Sequence, residues 1–285
     1  MISANKVIKS FKLELKEIYS QLETNAITEL VFEFFLNFSK TDMIIKVDLE
    51  LPDNMVDTLY QALERLKKNE PVQYILGETY FYNLQLEVKP GVLIPRQETE
   101  ELVDLIIKEN SDFKNLKILD IGTGSGCIAI SLAANLNNSK ITAFDISDMA
   151  LEIALNNAEL NNVNIDFEKF DILKQKILAD NKQFDIIVSN PPYVLDKEKD
   201  LMRKNVLDYE PSLALFVAND DPLLFYREIS NFTSNHLKTR GKLYFEINEA
   251  FGDEIVKLLL GSGFEKVQLK KDINGKNRII SAIKH

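Results

Sequence analysis

Cysteine and histidine are almost missing from this 285-residue chain: Cys127 stands alone, and His236 and His285 lie far apart. One thiol excludes an internal disulfide, and so sparse a donor set makes a Cys/His metal site unexpected. Long apolar runs are missing too, and nothing approaches the ~20 residues of a membrane-spanning helix. The opening residues, Met1 to Lys6, lead directly into a charged helical pattern rather than a signal peptide. The expectation is a cytoplasmic protein without metal or membrane. Basic charge is also short. With 34 Lys and Arg against 44 Asp and Glu, the net charge is −10, which argues against a protein built to neutralise phosphates. The last 20 residues run the other way, at +5: Lys266, Lys270, Lys271, Lys276, Arg278 and Lys284 face Asp272 alone. Six spread cations read as a solvated hairpin surface rather than a phosphate track.

What is present is an ordinary globular composition, 45% apolar and 27% charged. Such a chain suits one large domain, or one of about 190 residues with a smaller companion. Residues 1–75 are helical in pattern. Ile8, Phe11, Leu15, Ile18 and Leu22 form one apolar stripe; Ile27, Leu30, Val31, Phe34, Phe35 and Phe38 form a second. A shorter segment around Met43 to Leu49 leads to Pro52-Asp53-Asn54, a helix start, and then to the face of Val56, Leu59, Tyr60, Leu63 and Leu66. Pro71 stops it. These faces need one another, so a small bundle is expected, with recognition or docking as its role. Residues 76–95 read as a linker: β-prone runs around Asn83-Leu84 suggest a hairpin, and Pro90-Gly91 is a turn.

From 96 to 285 strands and helices alternate. Strands are expected at Leu116–Ile121, Lys140–Asp145, Asn164–Phe167, Asp185–Ser189 and Lys242–Ile247, with helices between. That alternation predicts a doubly wound parallel α/β sheet. The end differs: Phe264–Lys271 and Arg278–Ile283 flank Asn274-Gly275, an antiparallel hairpin signal.

After the first of these strands comes Asp120-Ile121-Gly122-Thr123-Gly124-Ser125-Gly126-Cys127. A dinucleotide fingerprint needs Gly or Ala where Cys127 stands, and a phosphate loop needs a Gly-Lys-Ser/Thr ending. Neither is met. The remaining pattern suits a nucleoside that carries an amino-acid chain. Asp120 can support the loop and face an ammonium, and the amides of Gly122 to Gly126 can approach carboxylate and ribose. Asp145, ending the second strand, is placed for the ribose hydroxyls. Asp171 could cap the adenine amino group, with Ile172 against the ring. Cys127 reads as small packing filler.

The fourth strand ends in Asn190-Pro191-Pro192-Tyr193. An Asn side chain offers a carbonyl acceptor, and two prolines stiffen the loop and remove two backbone donors. If the Asn190 oxygen and the Pro191 carbonyl accept both hydrogens of a planar –NH2 group, its lone pair can turn towards a sulfonium methyl. Tyr193 would pack over the acceptor's plane. No catalytic His is needed, because the nitrogen becomes strongly acidic as it is alkylated. The reading is a methyltransferase acting on planar nitrogen, the acceptor being an amide or a nucleobase. The charge of −10 and the lack of a basic recognition domain disfavour nucleic acid. A non-catalytic adaptor would have no use for the grip.

With these residues assembled, the chain resembles the HemK/PrmC family of protein-(glutamine-N5) methyltransferases. The resemblance rests on Glu70-Pro71-Val72-Gln73-Tyr74-Ile75-Leu76-Gly77, Leu93-Ile94-Pro95-Arg96 with Glu98-Thr99-Glu100, the Asp120–Gly126 loop and Asn190–Tyr193. Tyr209-Glu210-Pro211 before Ala214-Leu215, and the hairpin with Asp272, Gly275 and Arg278, extend it. It implies a class I methyltransferase domain behind a helical N-terminal domain. It also implies S-adenosyl-L-methionine as donor (leaving S-adenosyl-L-homocysteine) and the glutamine of a Gly-Gly-Gln loop in class-1 peptide chain release factors as acceptor. Family cofactor roles fall on Gly122 to Gly126, Asp145, the position after Asp171, and Asn190; acceptor roles fall on Asn190 to Tyr193. Two positions depart from the family pattern: Ile172, where an aromatic is common, and Asn248, where Glu-x-Gly usually ends. A monomer that binds no nucleic acid directly is expected.

Overall fold

The computed structural model describes residues 2–285 apart from 176 and 179–181. Met1, where the expected helical segment starts, lies outside the described residues. The chain divides into two compact units, Met1–Gly77 with Arg203–Tyr209, and Glu78–Met202 with Glu210–His285.

In the first unit α1 (Ala4–Leu15), α2 (Gln21–Leu36), α3 (Asp42–Ile45), α4 (Asp53–Lys67) and α5 (Val72–Leu76) follow in order. Helix α1 buries Ile8, Phe11 and Leu15 as the first stripe predicts. The stripe then ends, for Ile18 and Leu22 are 39% and 83% exposed. The cause is a capping box that periodicity does not register. Ser20 accepts from the Glu23 amide while the Glu23 carboxylate takes the Ser20 amide, and a new helix starts there. Along α2, Val31 and Phe32 turn inward, whereas Leu30 and Phe34 are exposed. Phe11 and Phe32 meet edge to face at 5.6 Å in the bundle core. Helix α4 follows Pro52 and buries Val56, Leu59, Leu63 and Leu66. Past Pro71 the chain makes one more short helix before the linker, closed by left-handed Gly77. Arg65 braces this corner through Glu70 at 2.6 and 2.8 Å and the carbonyls of Tyr74 and Ile75. The unit also takes in Arg203–Tyr209, which the sequence reading leaves with the C-terminal part: Arg203 pairs with Glu23, and the Tyr209 hydroxyl donates to the Lys68 carbonyl.

The second unit opens with the hairpin of β1 (Glu78–Phe81) and β2 (Leu84–Glu87), turning through Tyr82 and Asn83, both at positive φ. Helix α6 (Gln97–Asn110) follows. The alternating section comprises β3 (Lys117–Ile121), α7 (Cys127–Asn135), β4 (Lys140–Asp145), α8 (Asp148–Leu160), β5 (Ile165–Lys169) and β6 (Phe184–Ser189). It continues with α9 (Leu224–His236), β7 (Leu237–Glu246), α10 (Gly252–Gly261), β8 (Phe264–Lys271) and β9 (Asn277–Lys284). The seven strands lie in the order β8-β9-β7-β6-β3-β4-β5. The five from β7 to β5 run parallel, and β9 and β8 are antiparallel additions, as the alternation and the terminal hairpin predict. One face packs on Leu102, Val103 and Ile106 of α6 and Ile128 and Leu132 of α7; the other packs on Tyr226, Ile229 and Phe232 of α9 and Ile255 and Leu259 of α10. The central strands β3, β4 and β6 are accordingly mostly buried along their length, because both their faces are covered.

The terminal cations are mostly consumed within this unit. Lys270 pairs with Glu109, Lys276 with Glu249 and Arg278 with Asp272, while Lys284 donates to the carbonyls of Thr233, Ser234 and Leu237 at the end of α9. The solvated-hairpin reading is the one this arrangement suits.

Candidate functional site

Register aligns the strand ends. Ile121 of β3 pairs with Phe144 of β4 on one side and Ser189 of β6 on the other. The chain thus leaves all three strands on one rim, at Gly122, Asp145 and Asn190. The Ser189 hydroxyl donates to the Ile121 carbonyl at 2.7 Å and locks the pair. The winding direction reverses between β3 and β6, the switch point where open α/β sheets bind ligands.

A cavity of about 390 Å³ opens there, within the size range of small-molecule sites. Gly122, Thr123, Gly124, Ser125, Asp145, Asp171, Ile172, Asn190, Pro191 and Pro192 all line it. Asp120, Gly126 and Tyr193 do not.

Asp120 lies beneath the loop, fully buried. Its Oδ2 accepts from the Thr123 hydroxyl at 2.7 Å, and its Oδ1 has no partner among the described residues. Burial pushes the carboxyl up to about 7; the Thr123 hydrogen bond opposes this, and the Asp145 charge adds to it. Gly122 and Gly124 have positive φ and open space where a side chain would stand. Gly126, also left-handed, starts α7 instead, and a Cβ there would meet Ile130 at 2.8 Å and Ala154 at 3.1 Å. Its place is helix packing, out of the cavity. Asp145 takes the Gly124 amide on Oδ2 and the Ser147 amide on Oδ1, each at 2.9 Å. Burial raises its pKa as well. Asp171 accepts from the Leu173 amide and pairs with Lys174. Cys127 does line the cavity, with its thiol pushed up to about 12 by burial, so it stays protonated and unreactive.

The fourth-strand loop is held from behind. Asn190 donates through Nδ2 to the Thr99 hydroxyl at 3.2 Å, and its Oδ1 has no protein partner among the described residues. No backbone donor among the described residues reaches the Pro191 carbonyl. Tyr193, predicted over the acceptor's plane, instead packs against the core and donates to Glu246 Oε1 at 2.9 Å. The buried carboxylate of Glu246 pulls the ring away from the cavity. Asn248 fixes the same loop by donating to the Tyr193 carbonyl at 3.1 Å.

Several lining residues carry no role in the sequence reading. The strap from Gly91 to Arg96, Phe170 beside Ile172, and Pro211 to Ala214 complete the walls. Arg96 is joined to the buried Glu210 at 2.5 Å, and Glu210 also accepts the Ile94 amide. Phe170 stacks on Phe144 at 4.6 Å. Its position just before Asp171 was the available signal; the strap and Glu210 join only in the folded chain. Among the described residues no group of three or more His, Cys, Asp or Glu side chains could hold a metal ion, and no helix is long and apolar enough to cross a membrane.

Residues 6–77 match the family model described as PrmC N-terminal domain, and residues 97–208 match the methyltransferase small domain. A release factor glutamine methyltransferase from Flavobacterium psychrophilum is 48% identical, the match covering 96% of this chain and 98% of the relative. Another of that name from Bacteroides thetaiotaomicron is 45% identical, covering 98% and 99%. Among solved structures, a methyltransferase from Pyrococcus furiosus aligns with a TM-score of 0.53 over 82% of this chain and 99% of its own, at 18% identity, a likeness of fold.

Proposed function

The chain belongs to the family of release factor glutamine methyltransferases, and from that membership we propose how the cavity serves the reaction. It methylates the side-chain amide nitrogen (N5) of the glutamine in the Gly-Gly-Gln loop of class-1 peptide chain release factors. The donor is S-adenosyl-L-methionine, which supplies an electrophilic sulfonium methyl when bound. The chain acts as a cytoplasmic monomer, without metal and without direct nucleic-acid contact.

The residues fit this donor. Asp120 supports the loop from beneath through the Thr123 hydroxyl and sets a carboxyl behind the position that an ammonium in the loop would take. Gly122 to Gly126 shape the loop, and Thr123 and Ser125 add hydroxyls to the lining or its support. The carboxylate oxygens of Asp145 keep a second lone pair each for ribose hydroxyls. Asp171 and Ile172 take the adenine edge and face.

The observation that carries the reading is the pair of acceptors at the β6 end, Asn190 Oδ1 and the Pro191 carbonyl, on the same rim as the glycine loop. An amide nitrogen is a poor nucleophile because its lone pair is delocalised. Holding both its hydrogens turns the nitrogen towards the methyl, and such positioning is worth roughly 7–11 kcal/mol. The nitrogen then loses a proton to water. Pro191 and Pro192 keep the grip stiff, and Tyr193 supports it from behind rather than covering the acceptor.

The helical unit docks the release factor. Support comes from α2, which exposes Leu22, Ala26, Leu30 and Phe34 at four-residue spacing beside Glu29 and Glu33. An acidic apolar face suits a basic RNA-facing partner, so docking should weaken with salt.

The test is to incubate the protein with labelled donor and either release factor or nucleic acid, and to locate the label by peptide mass. Label on the glutamine is expected; label on nucleic acid alone overturns the assignment. Asn190→Ala should abolish turnover while donor affinity largely survives.

A further inference from the structure

Behind the grip lies a chain of hydrogen bonds whose directions can be worked out by counting hydrogens. Glu246, 1% exposed at the end of β7, accepts on both oxygens: from the Thr99 hydroxyl at 2.6 Å and from the Tyr193 hydroxyl at 2.9 Å. An ionised carboxylate can only accept. Burial raises the Glu246 pKa and the Glu98 charge adds to it, while the hydrogen bonds from Thr99 and Tyr193 and the charge of Arg278 favour the carboxylate. Tyr226 adds no donor to the carboxylate, since its hydroxyl is directed to the Glu246 backbone carbonyl.

Thr99 has a single hydroxyl hydrogen, and Glu246 takes it. Its oxygen can then only accept from Asn190. The Asn190 amide must present NH2 to Thr99, which leaves its carbonyl oxygen for the cavity. In the opposite rotamer the amide would set its oxygen against the Thr99 oxygen, two acceptors with no hydrogen between them. That rotamer would also offer an N–H to the acceptor, where a hydrogen-bond acceptor is required.

We propose that Thr99 and Glu246 are positioning residues that fix which way the Asn190 amide faces, and so make it a grip for an –NH2 group. This rests on the reading of Asn190 as part of the acceptor grip. Tyr193 belongs to the same device: its hydroxyl occupies the other Glu246 oxygen, so that carboxylate cannot swing away from Thr99. The charge on Glu246 is therefore read out at the acceptor through one intervening hydroxyl, although Glu246 does not itself line the cavity.

The experiment compares Thr99→Val, Thr99→Ser and Asn190→Ala, measuring kcat, KM for a release factor and donor affinity by calorimetry. Thr99→Val keeps the shape and loses the hydroxyl. It should lower kcat by about 10- to 100-fold, in the range of a misplaced reacting group, with donor affinity within about twofold. Thr99→Ser restores the hydroxyl and should recover most of the loss, which a role in packing alone would not. The side-chain NH2 resonances of Asn190 should shift in Thr99→Val and return in Thr99→Ser. If Asn190→Ala is inactive while Thr99→Val turns over like wild type, the positioning role is overturned and the grip stands. If Asn190→Ala turns over normally, the grip itself fails. Should Thr99→Val lose donor binding, Glu246→Met takes its place. It has no oxygen to take the Thr99 hydrogen, which is then free to turn to Asn190, so kcat should fall; wild-type kcat in that variant overturns the proposal.

Discussion

Asn157 of α8 donates its side-chain amide to the carbonyl of Ser125, in the middle of the glycine loop, at 2.9 Å. The same amide donates to the Glu87 carbonyl and accepts the Glu87 amide at 2.6 Å, so one buried side chain ties the loop to strand β2. One turn on, Asn161 donates to the Gln85 carbonyl and extends the seam. Replacing Asn157 by Leu would strand three backbone groups at once. A loss of about 2–4 kcal/mol is expected, since an unmet buried group costs about 1–3 kcal/mol and the two groups of Glu87 are only part-buried. Thermal melting should show a Tm lower by about 5–10 °C, and donor affinity should fall with it because Ser125 is released.

Two glycines of one loop should fail in different ways. Gly126→Ala combines a left-handed backbone with contacts to Ile130 at 2.8 Å and Ala154 at 3.1 Å, out of the cavity. Gly122→Ala meets no protein atom but projects from a lining position. Left-handed strain costs roughly 1–2 kcal/mol in both, and Gly126→Ala adds overpacking. The first should lose more in Tm, and the second more in donor affinity. Equal losses in both measurements would show that the loop's two ends do not have these separate duties.

Arg96 and Glu210 allow a test of sign. Arg96→Met removes the counter-charge and leaves Glu210 buried with only the Ile94 amide. Arg96 is about one-third exposed, so solvent already screens part of the pair; a loss of about 1–3 kcal/mol is expected. Adding Glu210→Gln to Arg96→Met should then raise stability, because it removes the stranded charge. Denaturant titration of the two variants decides it: a double variant weaker than Arg96→Met means that shape, not charge, holds the strap.

Much of this was legible from local pattern. Strand β4 falls on the predicted Lys140–Asp145 because Ile141 to Phe144 are buried on both faces, Thr142 being a short β-branched residue, and the charged Lys140 and Asp145 bound the run. The Asn274-Gly275 hairpin carries its own turn chemistry. The misses share a cause, which is that polar side chains act at a distance from their own periodicity. Ser20 and Glu23 divide what apolar spacing joins into one stripe. Arg203 and Tyr209 join a unit more than a hundred residues earlier. Tyr193 follows Asn190 in sequence, but it answers to Glu246, 53 positions on, and Thr99 meets Glu246 across 147. The rim residues were readable because they end strands; the groups that orient them were not, because only folding brings them together.

Asp120 should make donor binding depend on pH. Burial, then the Asp145 charge, raise its carboxyl to about 7 in the folded chain, against about 3.9 when unfolded. Between these values the native state holds a proton that the unfolded state has lost. Stability therefore falls as pH rises through that window and levels above about 7. A ligand ammonium held in the loop above this carboxyl favours the ionised form through its charge and lowers the pKa of the complex. Binding below about 7 then has to release a proton, so affinity should rise by up to about tenfold per pH unit and flatten above it. Calorimetry in buffers of different ionisation heats would register both the slope and the proton. Asp120→Asn, which cannot ionise, should bind more weakly at neutral pH and lose the slope. A flat affinity in the unsubstituted protein would place the ammonium elsewhere in the loop.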